Sequence, residues 1–187
     1  MTDTNLSSRA TFGWVRPVGW GLAVAMILLP FLAMQVAPES GVDWTGGDFL
    51  FAAIVIGGVG MAFELAVRIS SNWSYRAGAA VGLAAGFFLL WSNAAVGYIG
   101  DDNPYNMVFF LIVAFAFLGS IIAAFRAKGM AVVMLAAGVA HALAGAIGYP
   151  QDPITGPITL VFTGMWLTSA WLFRRAAQEA ATGEATR

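Results

Sequence analysis

The chain has 187 residues, of which 59% are hydrophobic and 10% charged, with a net charge of −1 and a mean hydropathy of +0.78. A soluble domain carries roughly 25% charged residues, so most of this chain sits in a solvent that does not ask for charge. With no cysteine and one histidine, disulfides, thiolate chemistry, bis-histidine haem and a three-histidine zinc centre are excluded, and no cofactor is expected. The near-neutral balance gives no field that would gather nucleic acid.

A membrane-spanning helix needs about 20 mostly apolar residues. Six stretches meet this: 17–37, 48–69, 76–99, 105–125, 129–149 and 156–173. The first is long, lacks a small-residue cleavage site and runs into Pro38, so it reads as an uncleaved span rather than a signal peptide. Pro30 should kink it. Thr159, Thr163, Thr168 and Ser169 in the sixth can return their hydroxyls to helix carbonyls at little cost. The expected fold is an all-α integral membrane bundle of six transmembrane helices in three antiparallel hairpins. It divides into a flexible N-terminus (1–13), a transmembrane domain (14–175) and a flexible tail (176–187).

Charge sidedness orients this bundle. Arg9 and Arg16 precede span 1, Arg68 and Arg76 lie between spans 2 and 3, Arg126 and Lys128 between spans 4 and 5, and Arg174, Arg175 and Arg187 follow span 6. The other three loops hold only acids: Glu39, Asp43 and Asp48, then Asp101 and Asp102, then Asp152. The positive-inside rule makes the basic loops and both termini cytoplasmic. Trp14, Trp20, Trp73, Tyr75 and Trp171 near the basic ends, and Trp44, Tyr98, Tyr105 and Tyr149 near the acidic ends, read as two interfacial belts.

Spans 3 and 5 share Leu-Ala-Ala-Gly (83–86 and 135–138) and a Gly-Tyr before an Asp-Pro-bearing turn. Such matches fit a duplicated hairpin and also arise by chance in Ala/Gly-rich helices. Gly78, Gly82 and Gly86 form a small-residue stripe that admits a second backbone. It is the expected contact for a homo-oligomer or a larger membrane complex within the lipid bilayer.

Ionisable groups inside a bilayer are functional candidates by default. Glu64 and Arg68 stand four apart on one helix face, either as an ion pair at the membrane rim or as a carboxylate that binds a proton or cation. His141, deeper in span 5, is either a neutral ring bonded to a neighbouring helix or a proton relay. Asn93 is its expected partner. Together Glu64, Arg68, Asn93 and His141 make up the candidate intramembrane polar site. Asp101, Asp102, Asn103 and Asn106 form an acidic turn at the outer face. Asp-Asn-Pro suits the end of one helix and the start of the next, while two carboxylates and two amides also make an oxygen set of the kind Ca²⁺ takes. No metal site and no nucleophile–base pair is expected elsewhere, so the balance falls against an enzyme.

Gly47-Asp48-Phe49, Ala62-Phe63-Glu64-Leu65-Ala66-Val67-Arg68 and Tyr75-Arg76-Ala77-Gly78 resemble a family of small bacterial multi-pass membrane proteins with no assigned function. Trp91-Ser92-Asn93-Ala94-Ala95-Val96-Gly97-Tyr98-Ile99-Gly100, with Asp102-Asn103-Pro104 and Asn106, is the most specific part of the likeness. The family pattern has Val at the place of Ser92 and one more residue, a Glu, before the turn. The resemblance implies a bacterial inner membrane and nothing about activity. From the residues alone, the leading expectation is a non-enzymatic packing, ligand-binding or accessory membrane component. A small transporter or proton/cation conductor using Glu64 and His141 is the alternative, and a lipid-active enzyme a distant second.

Overall fold

The computed structural model describes residues 15–100 and 103–185. Residues 1–14, which hold the expected N-terminal segment with Arg9 and Trp14, lie outside the described residues, as do Asp101, Asp102 and Arg187. The chain is all-helical. Its helices are α1 (Val15–Val36), α2 (Gly46–Ile69), α3 (Trp73–Val96), α4 (Met107–Ile122), α5 (Ala127–Gly148) and α6 (Thr155–Ala185). All six are long and apolar enough to cross a membrane, and each coincides with one of the stretches read from the sequence.

The helices form two compact units, divided within α2 between Ala62 and Phe63. In the first, Phe31 of α1 meets Phe49 of α2 edge-on at 6.4 Å, and Gly60 leaves room for the Trp20 indole. Thr45 and Asp48 open α2 with a reciprocal cap: the Thr45 N–H and hydroxyl both donate to the Asp48 carboxylate at 2.7 Å. Such a box satisfies backbone donors that the first helical turn leaves free.

The second unit is built around α6, which packs along α5 and α3, while α4 packs on α5 and α3. Small residues make this possible. A Cβ on Gly78 would press on Leu172 and Phe173 and one on Gly82 on Ser169 and Met134, while one on Gly86 would make ordinary contact with Val113 and Trp166. Ser169 adds a hydrogen bond to the Gly78 carbonyl at 2.8 Å. The 78–82–86 stripe thus faces helices of its own chain.

The segment expected as a flexible tail is helical through Ala185. Ala-rich sequence favours this, and Glu179 secures it. Its carboxylate accepts hydrogen bonds from Arg175 at 2.8 Å, from Asn72 at 2.9 Å and from Ser74 at the start of α3. A carboxylate is well placed at a helix N-terminus, where unpaired N–H groups and the helix dipole favour negative charge.

Candidate functional site: a buried tyrosine–histidine pair beside an apolar groove

At the end of α3 the chain turns back into the bundle, and asparagine side chains hold it there. The Asn93 amide accepts the Tyr98 N–H at 3.0 Å and donates to the Asn106 carbonyl at 2.9 Å. Asn106 in turn accepts the Ile99 N–H and donates to the Gly100 carbonyl, both at 2.9 Å. Each amide supplies one donor and one acceptor, so the pair stands in for a missing strand partner. Gly97 and Gly100 have φ of +69° and +70°. At Gly97 a Cβ would collide with the Gly100 carbonyl and the Asn106 amide, so glycine is required there.

This turn delivers Tyr98 and Ile99 into the core, each 4% exposed. Ile99 fills the space left by Gly148 on α5. The Tyr98 hydroxyl reaches His141 Nε2 at 3.0 Å and Thr159 Oγ1 of α6 at 3.2 Å. Rings enclose the group: Phe109 lies 3.9 Å from Tyr98 and 5.6 Å from His141, and Phe162 lies 5.8 Å from His141, centroid to centroid. His141 is wholly buried, and its Nδ1 has no hydrogen-bond partner among the described residues.

Beside Thr159 a groove of about 590 Å³ runs between α5 and α6. On one side it is lined by Ala142, Gly145 and Ala146 of α5 and by Tyr149 just past its end, which follow one another at spacings of three and four. On α6 its lining includes Gly156, Thr159, Leu160 and Thr163. The groove exists because these small α5 residues leave room where larger ones would fill it. Gly145 passes so close to Thr159 that a Cβ there would overlap the threonine side chain. No charged side chain lines the groove. Thr163 Oγ1 is buried without a partner among the described residues.

The residues singled out from the sequence separate into distinct places. Arg68 Nη2 lies 3.2 Å from Glu64 Oε1 with the arginine largely exposed, at the end of α2. Nearby, Arg76 donates to the Val67 and Ser70 carbonyls. Arg76 and Asn93 are 17 residues apart on one helix, roughly 26 Å at 1.5 Å per residue. Glu64 and Arg68 therefore belong to the other end of α3 from Asn93 and His141, and the four do not form one site.

Asn93 and His141 do share a network, though not by direct contact: the Asn93 amide holds the Tyr98 backbone, and the Tyr98 hydroxyl holds His141. Tyr98, read as an interfacial anchor, is a core residue, and Thr159 bonds across to it rather than back to its own helix. Asn103 accepts the Tyr105 N–H and donates to Gln151 at 3.0 Å each. The amides of Asn103 and Asn106 are thus engaged in capping and loop closure. Among the described residues no group of three His, Asp or Glu side chains could hold a metal ion. A signal for Tyr98 stood in the sequence, where glycines bracket Tyr98-Ile99 between two asparagines. That pattern marks a tight turn carrying two apolar side chains, which is unusual for an exposed loop.

Six helices long and apolar enough to cross a membrane are the make-up of a multi-pass membrane protein. Comparison of the chain with family models, curated proteins and solved structures gave no match.

Proposed function

We propose that the protein is a non-enzymatic, ligand-holding accessory component of a bacterial inner membrane, with three antiparallel hairpins and both termini in the cytoplasm. The observation that carries the reading is the groove between α5 and α6. It is apolar and uncharged, and its volume of about 590 Å³ is within the usual range for small-molecule sites. Exposed Leu160 and Tyr149 at its edge would face lipid in a membrane, so its natural occupant is a small apolar molecule that partitions into the bilayer. The confinement of every basic residue to alternate connections and ends supports the orientation, under which the groove and the Tyr98 turn would lie towards the outer face.

Two measurements test this. Protein extracted in mild detergent should retain a small apolar molecule by native mass spectrometry, and Ala146→Trp, which fills the groove from an exposed position, should lose it. Equal retention by both proteins, or none by the wild type, refutes the reading. For orientation, the cysteine-free chain allows single cysteines at Gln151 and Gln178. An impermeant maleimide should label Gln151→Cys in intact spheroplasts and Gln178→Cys only after permeabilisation. The reverse order would invert the topology.

A further inference from the structure

At the end of the α5–α6 seam away from the groove stand two basic side chains, Lys128 of α5 and Arg174 of α6. Both are exposed, and neither joins an ion pair among the described residues, where Arg68 pairs with Glu64 and Arg175 with Glu179. They share a level. Leu167 packs on Gly138 across the seam. Arg174 lies seven residues past Leu167 and Lys128 ten before Gly138, roughly 10 and 15 Å at 1.5 Å per residue, so the two reach the same end within one turn. Packed helices stand about 8–10 Å apart, a gap that two long side chains can close over one group. They also share a side. Ala146 lies 18 residues on from Lys128 and Gly156 18 before Arg174, five full turns at 3.6 residues each, and both of those residues line the groove. Between the cations and the groove run exposed apolar side chains at helical spacing: Val132, Leu135 and Val139 on α5, Leu167 and Trp171 on α6.

We propose that this strip seats one anionic phospholipid, with its phosphodiester between Lys128 and Arg174 and an acyl chain along Val132, Leu135 and Val139. Charge complementarity selects the head. No acid stands in the first turn of α5, and Glu179, the acid of α6 nearest to Arg174, is turned to α3, where Asn72 and Ser74 hold it. Two cations with no carboxylate beside them favour a head of net negative charge over a zwitterion, whose ammonium they repel. Length selects where the chain stops. One leaflet spans half of a hydrocarbon core about 30 Å thick, which is about ten residues of helix. The chain therefore ends near Val139, short of Ala142, where the groove begins. The seat is separate from the groove and does not need it filled; under the proposed orientation it lies in the cytoplasmic leaflet.

The test titrates delipidated full-length protein in mild detergent with dioleoyl phosphatidylglycerol. A parallel series uses dioleoyl phosphatidylethanolamine, which has the same chains and a zwitterionic head, and native mass spectrometry counts the bound lipid. The anionic lipid should bind about tenfold more tightly. Lys128→Gln and Arg174→Gln should each weaken it about fivefold, the gain from one cation near an anionic head, and should leave the zwitterion unchanged. Both replace exposed side chains without an ion-pair partner among the described residues, so both should fold. Arg68→Gln removes an equal charge from the same end of the bundle and should alter neither affinity. Equal binding of the two lipids, a preference that survives both substitutions together, or an equal loss with Arg68→Gln overturns the seat and leaves a diffuse basic rim. Displacement by glycerol 3-phosphate at matched concentration also overturns it, as the mark of a site for free phosphate. Ala146→Trp, which fills the groove, should leave phosphatidylglycerol binding intact whatever it does to the groove's own occupant; loss of the lipid there would overturn a seat that stops short of the groove.

Discussion

The two ends of α3 solve different problems. At its start, polar groups are charged and close to their partners in sequence or at helix tips: Arg68 beside Glu64, Arg76 on the carbonyls that end α2, Glu179 over Asn72 and Ser74. At its end, polar groups are neutral and buried, and they come from three separate parts of the chain: Asn93 with Tyr98, His141, and Thr159. Charges can be kept where water and headgroups share the cost of solvation, whereas a buried group must find its partner in the protein. The lesson is that the end with fewer formal charges holds the more demanding polar chemistry.

The sharpest way to break the contrast is at the turn that seats Tyr98. Gly97 has φ +69° and ψ 141°, close to a region that only glycine occupies freely, and a Cβ there meets backbone and amide atoms that cannot move aside. Gly97→Ala should cost about 3 kcal/mol or more, read as a large fall in Tm in detergent. Gly100→Ala serves as its control. There φ is +70° but nothing stands within 4 Å of a Cβ, so strain alone should cost about 1–2 kcal/mol. Equal losses at the two positions would mean that the Asn106 clamp does not hold the turn.

Much of the molecule was legible from residue order, because the membrane imposes a length and an apolar content that hydropathy reads directly. The six helices follow from that constraint. So does the Glu64–Arg68 pair, since its spacing is local, and the capping use of Asn103 follows from its place before Pro104. What escaped depends on contacts between distant segments. Nothing local to Tyr98 says that His141 and Thr159 will meet its hydroxyl, and the glycine stripe at 78, 82 and 86 declares that something packs closely without saying what. The helical run to Ala185 escaped for a related reason. Its anchor, Glu179, depends on residues 105 and 107 positions away along the chain.

A smaller effect, of opposite sign, is expected at the turn between α4 and α5. There Ala124 and Phe125 take positive φ, 49° and 56°, without glycine. The Tyr75 hydroxyl from the start of α3 holds the turn by donating to the Phe125 carbonyl at 2.7 Å. Two left-handed residues in succession are strained, and Ala124 is exposed, so a glycine there gives up little packing. Ala124→Gly should stabilise by about 1 kcal/mol, less than the full left-handed penalty because glycine gains freedom in the unfolded chain. The check is a rise in Tm. A fall would show that the turn is not under strain, and that the start of α3 has no use for the glycines on which its far end depends.

The smallest effect is expected at the one pair of opposite charges that α2 carries on a single face. Glu64 and Arg68 stand one turn apart, with the arginine side chain 70% and the glutamate 24% exposed. An exposed pair at this spacing contributes about 0.3–0.5 kcal/mol, and screening by salt reduces it further. Glu64→Gln keeps an oxygen that can accept from Arg68 and removes only the charge. Its Tm should therefore lie close to the wild type, and the difference should shrink between low and high ionic strength. A loss as large as that at Gly97, insensitive to salt, would mean that this carboxylate is held in a dry and demanding setting. The two ends of α3 would then be alike in kind, and Glu64 would return as a candidate for binding a proton or cation.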